Sequence, residues 1–265
     1  MTDYRQYCPG PFGQLHFRVC GAGHPLILCH QSPSSLHQFD AAYPRLAAQG
    51  EMAIGLDTPG FGQSDVPPAP PTIEDYADCV VAVLDHLGLP QADILGQHTG
   101  SMTAMAATIR HPTRFRRLIL NSPTPFSAQQ RRDFIDTVVT RQRAWTLKRD
   151  GTHLQEMWDR RARVTPGWTD LAAMHRHVID MLIAGDTLWY GHHASVVYDQ
   201  LGNLPHITHR TLLLNNTGDQ LYRLCLSTRD ARPDFEYAEL QGGTHDIVDE
   251  QPDAWCAAVA GFLAG

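Results

Sequence analysis

The residue whose position most suggests chemistry is His98, at the centre of the turn Gly96-Gln-His-Thr-Gly100. This turn follows the apolar run 92–95 and precedes a stretch of small residues that opens a helix, so a strand–turn–helix connection is predicted. Glycines on both sides let the backbone hold a central residue in a strained conformation without steric clashes. His98 is therefore a candidate reactive group, because imidazole can transfer protons, attack carbon or bind a metal.

The elements around this turn predict an α/β fold with a mostly parallel sheet and helices on both faces, because short β-rich runs alternate with helical spacing. Predicted strands lie at 15–19, 26–29, 52–56, 92–95, 118–121, 211–215 and 235–240, and predicted helices at 36–49, 73–87, 101–109 and 253–263. Residues 123–208 carry helical stretches without a clear strand. The predicted domains are therefore a core of 1–122 and 209–265 and a helical cap of 123–208.

Polar residues outside the turn extend the candidate site. Asp219 follows the predicted strand 211–215, and His245 follows the last predicted strand. The structural alternatives are that Asp219 is an ordinary turn residue and that His245 is a surface histidine.

Other residues are predicted to have structural roles. Asp246 and Asp249 are expected to cap the next helix. His192 and His193 are expected on a solvated face of the cap. Four cap tryptophans either pack the core of the cap or line an apolar substrate pocket: Trp145, Trp158, Trp168 and Trp189.

Residues 25–122 and 209–263 resemble the α/β-hydrolase superfamily, in particular its capped branch of epoxide hydrolases, haloalkane dehalogenases, esterases and C–C bond hydrolases. The resemblance rests on the motifs His30-Gln-Ser-Pro, Asp57-Thr-Pro-Gly-Phe-Gly-Gln-Ser-Asp65 and the turn at His98, followed by Asp219 and His245. The family pattern at the turn is G-x-S-x-G. A histidine at its centre is similar to an atypical subgroup. The resemblance implies that the cap is inserted after the sixth strand.

The resemblance also implies roles. Asp219 would orient His245, and His245 would serve as general acid and base, in the chain order usual for the family. The backbone N–H groups of Gln31 and Thr99 would form an oxyanion hole. His30, Ser32 and Ser122 are candidate substrate contacts beside it.

Four interpretations of His98 stay open. It could be a nucleophile that forms an acyl-imidazole. It could act with His245 as a base on water or on a substrate proton. It could bind a metal with His245 and His30 or Asp219, although the spacing shows no metal motif. The fourth interpretation is an inactive site that only binds a ligand or partner.

Composition narrows the function further. A net charge of −7 disfavours nucleic acid and anionic membranes as partners. No apolar run reaches membrane-spanning length and no signal peptide is apparent, so a cytoplasmic location is expected. The six cysteines form no C-x-x-C pair, which favours buried reduced thiols.

The sequence thus predicts a cofactor-free enzyme, with no metal, that acts on a small, mostly apolar carbonyl compound. The expected reaction is hydrolysis of an ester, of a lactone or of a C–C bond in a β-diketone. The expected partner is this small-molecule substrate, and a homodimer stays open. A lyase or decarboxylase that uses His98 and His245, or a catalytically retired ligand-binding protein, is the alternative.

Overall fold

One sheet of eight strands runs through the computed structural model, which describes residues 2–265. The strands are β1 (Asp3–Gly10), β2 (Gly13–Cys20), β3 (His24–Cys29), β4 (Glu51–Leu56), β5 (Ala92–Gln97), β6 (Phe115–Asn121), β7 (Arg210–Asn216) and β8 (Glu236–Leu240). Their order across the sheet is β1-β2-β4-β3-β5-β6-β7-β8. Every neighbouring pair from β4 to β8 is parallel, whereas β2 pairs antiparallel with β1 and β4. The predicted mostly parallel sheet is confirmed.

Helices cover both faces of the sheet. They are α1 (Tyr43–Ala48), α2 (Ile73–His86), α3 (Thr99–Arg110), α4 (Ala128–Phe134), α5 (Thr140–Arg143), α6 (Thr152–Val164), α7 (Leu171–Ala184), α8 (Tyr190–Val197), α9 (Gln200–Asn203), α10 (Tyr222–Ala231), α11 (Ile247–Glu250) and α12 (Pro252–Ala264). The apolar sides of α2 and α3 pack on one face, and those of α1 and α12 pack on the other. All six cysteines are free and buried, as predicted.

Several elements differ from the sequence predictions, which also lacked helices α10 and α11. Strand β1 was not predicted, because it is an edge strand whose side chains are mostly exposed and therefore carries no apolar run. The predicted helix at 36–49 is divided into a 3₁₀ turn, Leu36–Phe39, and helix α1. Pro44 lies in the first turn of α1, the position at which a proline without an N–H group is tolerated in a helix.

The segment between β6 and β7 contains helices α4 to α9, and its boundaries as a separate domain remain a prediction. Part of this segment packs around a small apolar cluster that includes Phe126, Val139 and Val196. None of the helices in the described residues is long and apolar enough to cross a membrane.

Candidate active site

His98 alone joins β5 to α3, in a backbone conformation that non-glycine residues rarely adopt. Its φ is 48° and its ψ is −113°, a strain of about 1–3 kcal/mol that the surrounding packing must offset. A Cβ atom at Gly96 would lie 1.9 Å from the carbonyl oxygen of Gly100, and one at Gly100 would lie 2.0 Å from that of Cys29. Both glycines are thus needed for close backbone approach, which supports the predicted strand–turn–helix geometry.

Asp219 and His245 reach His98 from the turns that follow β7 and β8. Oδ2 of Asp219 lies 2.9 Å from Nε2 of His98, and Oδ1 lies 3.6 Å from Nδ1 of His245. The two imidazole rings stack with centroids 4.0 Å apart and planes inclined by 22°. The N–H of Leu221 donates to Oδ1 of Asp219 at 2.8 Å, which fixes the carboxylate. The structure therefore brings the three predicted residues together, with one carboxylate shared by two imidazoles.

The charge state of this group is set by burial and by the carboxylate. Burial, assisted by the neighbouring His98, lowers the pKa of His245 to about 4, so this ring is neutral at pH 7. Burial alone would raise the pKa of Asp219, but the two imidazoles beside it hold that pKa well below its usual value. Asp219 is therefore an anion, and His245 can accept a proton.

The ring nitrogens of His98 and His245 differ in how enclosed they are. Both nitrogens of His98 and Nδ1 of His245 are enclosed and complete no hydrogen bond. The contact of Asp219 with Nδ1 of His245, at 3.6 Å, is too long for one. Nε2 of His245 is not among these enclosed atoms, and His245 lines the cavity described below. The atom of this pair that can meet a substrate or a water molecule is therefore Nε2 of His245.

The same three residues are also the group that could hold a metal ion. His98, Asp219 and His245 each offer one ligand atom, and these atoms lie within 4.8 Å of one another. Two imidazoles and a carboxylate are a donor set that suits zinc or iron. The predicted alternative with His30 as a ligand is not supported, because His30 lies outside this group.

Of the two backbone N–H groups predicted to form an oxyanion hole, only that of Thr99 is still a candidate donor. The N–H of Gln31 donates to Oε1 of Gln38 at 2.7 Å, so the prediction for this donor is wrong. The side chain of Gln31 is also committed, since its amide donates to Oδ1 of Asp246 at 3.1 Å. Thr99 lines the cavity and begins α3, where a backbone N–H has no partner within the helix. Its N–H remains the candidate oxyanion donor.

A cavity of about 260 Å³ lies in front of these residues. Its polar wall includes His98, Thr99 and His245 together with Ser32, Thr124, Arg160, Arg161, His192, Ser195 and Gln220. Its apolar wall includes Pro33, Phe126, Phe134, Val138, Val164, Met181 and Leu221. Most of these residues belong to the segment between β6 and β7, so that segment covers His98, Asp219 and His245. The expectation of a solvated His192 is wrong, because its ring lines the cavity and its Nδ1 lies 2.8 Å from Oε1 of Gln142.

Several predicted substrate contacts lie away from the cavity wall. The ring of His30 is buried between the carbonyl of Gln31 and the backbone N–H of Thr58, so it connects two loops. Ser122 is fully buried beside β7, where its N–H donates to the carbonyl of Leu214. The four cap tryptophans are likewise absent from the wall. Trp145, Trp158 and Trp189 pack against apolar clusters, and Trp168 lines a separate surface groove.

A buried ion cluster beside the site was not predicted. Arg161 of α6 forms an ion pair with Asp246, and Nε2 of His177 lies 2.9 Å from Oδ2 of Asp249. The prediction that Asp246 and Asp249 cap a helix is therefore wrong, and Asp246 makes no side-chain cap although it precedes α11. The only sequence signal was two aspartates close to His245, since their partners lie more than 70 residues away.

Comparisons with known proteins agree with this architecture. The family model described as "alpha/beta hydrolase fold" matches residues 24–222. The chain belongs to the α/β-hydrolase fold family. By family it is therefore a hydrolase. Membership of an atypical subgroup with histidine at the centre of the turn Gly96–Gly100 stays a prediction.

Individual relatives match part or all of the chain. The chain is 34% identical to bifunctional epoxide hydrolase 2 of Rattus norvegicus over 116 residues, which are 42% of this chain and 20% of that protein. It is 38% identical to 2-hydroxymuconate semialdehyde hydrolase of Pseudomonas sp. (strain CF600) over 104 residues, which are 38% of this chain and 36% of that protein. The crystal structure of a hydrolase from Pseudomonas aeruginosa PA01 superimposes with a TM-score of 0.85 at 21% identity, over 98% of each chain. These curated relatives are matched over much less than two thirds of their length.

Proposed function

We propose that this protein hydrolyses a small carbonyl compound, such as an ester or a lactone, by activating water directly with His245. The observation that carries the proposal is a neutral His245 that lines the cavity with its Nε2 not enclosed, combined with the anionic Asp219 beside its Nδ1. A neutral imidazole can take a proton from water, and a fixed carboxylate stabilises the imidazolium that forms.

His98 takes a supporting part in this proposal. Its two nitrogens are enclosed, so a direct attack on substrate would require the ring to leave Asp219 and turn into the cavity. In the arrangement described, it stacks on His245 and shares the carboxylate, which holds the general base in place. The N–H of Thr99 would then stabilise the oxyanion of the tetrahedral intermediate.

The cavity supports a small substrate. A volume of about 260 Å³ and a wall rich in Phe, Val, Met and Leu side chains suit a compact molecule with an apolar portion. The names of the relatives, an epoxide hydrolase and a semialdehyde hydrolase, are in keeping with hydrolysis of small organic molecules. Catalysis without a cofactor and a cytoplasmic location remain part of the proposal.

Steady-state hydrolysis of p-nitrophenyl acetate and butyrate tests the assignment. We expect His245→Ala to lower kcat by about 10²–10⁴-fold, the usual contribution of a general base, and His98→Ala to lower it less. His193→Ala is the matched control, because that histidine is absent from the cavity wall. Undiminished turnover by His245→Ala would refute the assignment of the base.

A further inference from the structure

Arg160 presents a positive charge to the cavity without an acidic partner. It lies on α6 and lines the same wall as His98 and His245. The next residue, Arg161, is neutralised by Asp246, but Arg160 has no ion pair or side-chain hydrogen bond within residues 2–265. The charged groups that lower the pKa of Arg160 are Arg163 and Arg141, which are also cations.

This charge persists at neutral pH. Burial, with repulsion from Arg163 and Arg141, lowers the pKa of Arg160 to about 10, which leaves the guanidinium protonated at pH 7. A partly desolvated cation without a counter-charge is unfavourable, so an arriving anion gains from neutralising it. Two further arginines nearby would attract such an anion toward the cavity.

The rest of the wall offers no competing anion. No Asp or Glu side chain lines the cavity in the part of the chain that the structure describes. His192 is neutral at pH 7, because burial and the charge of Arg160 lower its pKa to about 3. The cavity wall therefore carries one cation without a counter-charge, Arg160, a few hydroxyl and amide groups, and otherwise apolar side chains.

We infer that Arg160 binds a carboxylate group of the substrate, so that the compound hydrolysed is a small organic acid whose reacting carbonyl lies away from that carboxylate. A single charge in a small, otherwise apolar cavity matches a monoanion. The planar guanidinium can donate two parallel hydrogen bonds to a carboxylate, which fixes orientation as well as position. The assignment of the substrate rests on the proposed function, whereas the binding of a carboxylate by Arg160 does not.

Two ester substrates test the role in turnover. The kcat/KM for the monoanionic p-nitrophenyl glutarate is compared with that for the neutral p-nitrophenyl butyrate. Each ester is assayed with four proteins: wild type, Arg160→Met, Arg160→Lys and Arg163→Met. We expect wild type to favour the anionic ester by about tenfold or more in kcat/KM, through KM. Arg160→Met should abolish this preference, so that kcat/KM becomes about equal for the two esters. Arg160→Lys should retain part of it, and the exposed control Arg163→Met most of it.

Binding without turnover provides an independent readout. Titration calorimetry compares phenylacetate with its neutral isostere phenylacetamide, and thermal unfolding checks that each variant is folded. The inference is supported if wild type and Arg163→Met bind the acid more tightly than the amide and Arg160→Met does not. If neither ester is hydrolysed, only the proposed function is refuted. Equal or undetectable binding of acid and amide by wild type, or a preference that survives Arg160→Met, overturns the inference.

Discussion

Asp219 lies closer to His98 than to His245: its carboxylate is 2.9 Å from Nε2 of His98 and 3.6 Å from Nδ1 of His245. A carboxylate in this family would be expected to serve one imidazole, and here it serves two. His98 thus lies against the carboxylate, and both of its ring nitrogens are enclosed. The consequences can be measured at Asp219, at the two rings and at the buried ions beside them.

Replacing the shared carboxylate should disable both imidazoles. We expect Asp219→Asn to lower kcat for p-nitrophenyl butyrate by about 10²–10⁴-fold, because the amide keeps the shape but cannot stabilise an imidazolium. Asp230→Asn is the control, since Asp230 is exposed on α10 and pairs only at the surface. Retention of activity by Asp219→Asn would show that the carboxylate is not part of the machinery.

Acid should destabilise the fold through its buried histidines. The pKa of His245 falls from 6.5 to about 4 and that of His177 likewise to about 4 on folding, chiefly because of burial. The unfolded chain then binds more protons than the native chain between these values, so stability falls as the pH decreases from about 6.5 to about 4. We expect Tm to drop across this window, and less steeply in His245→Asn. A Tm independent of pH across this window would contradict the burial of neutral imidazoles.

The buried ion pair between Arg161 and Asp246 should be costly to break from one side. Arg161→Met leaves the carboxylate without its counter-charge, and a loss of about 3–5 kcal/mol in the free energy of unfolding is expected. Arg45→Met, which removes a largely exposed pair with Asp253, should cost no more than about 1 kcal/mol. Denaturant unfolding of both variants measures the difference, and equal losses would contradict the distinction.

The sequence predicts the parallel sheet and the meeting of His98, Asp219 and His245, but it does not predict the side-chain contacts around them. The glycines around His98 and the strand ends before Asp219 and His245 are local signals, and the structure brings these residues together. The commitment of Gln31 to Gln38 and of Asp246 to Arg161 depends on side chains that meet only after folding. The cavity-facing positions of Arg160 and His192 depend on how α6 and α8 pack, which hydrophobic periodicity does not encode.

The ligand cluster allows a direct test for a bound metal. The proposed mechanism predicts that dialysis against a chelator, followed by elemental analysis, yields metal-free protein with unchanged kcat. The donor atoms of His98, Asp219 and His245 lie within 4.8 Å of one another, so loss of activity on chelation and its recovery with zinc or iron would assign them as ligands.

Intact-mass analysis of quenched His245→Ala protein after incubation with p-nitrophenyl acetate distinguishes attack by water from attack by His98. Removal of the water-activating base should let an acyl-imidazole accumulate if His98 is the nucleophile, because imidazole can attack an activated ester without assistance. If water attacks the substrate, the protein mass stays unchanged in this variant and in wild type. An added acetyl group located on His98 by peptide mapping would contradict attack by water.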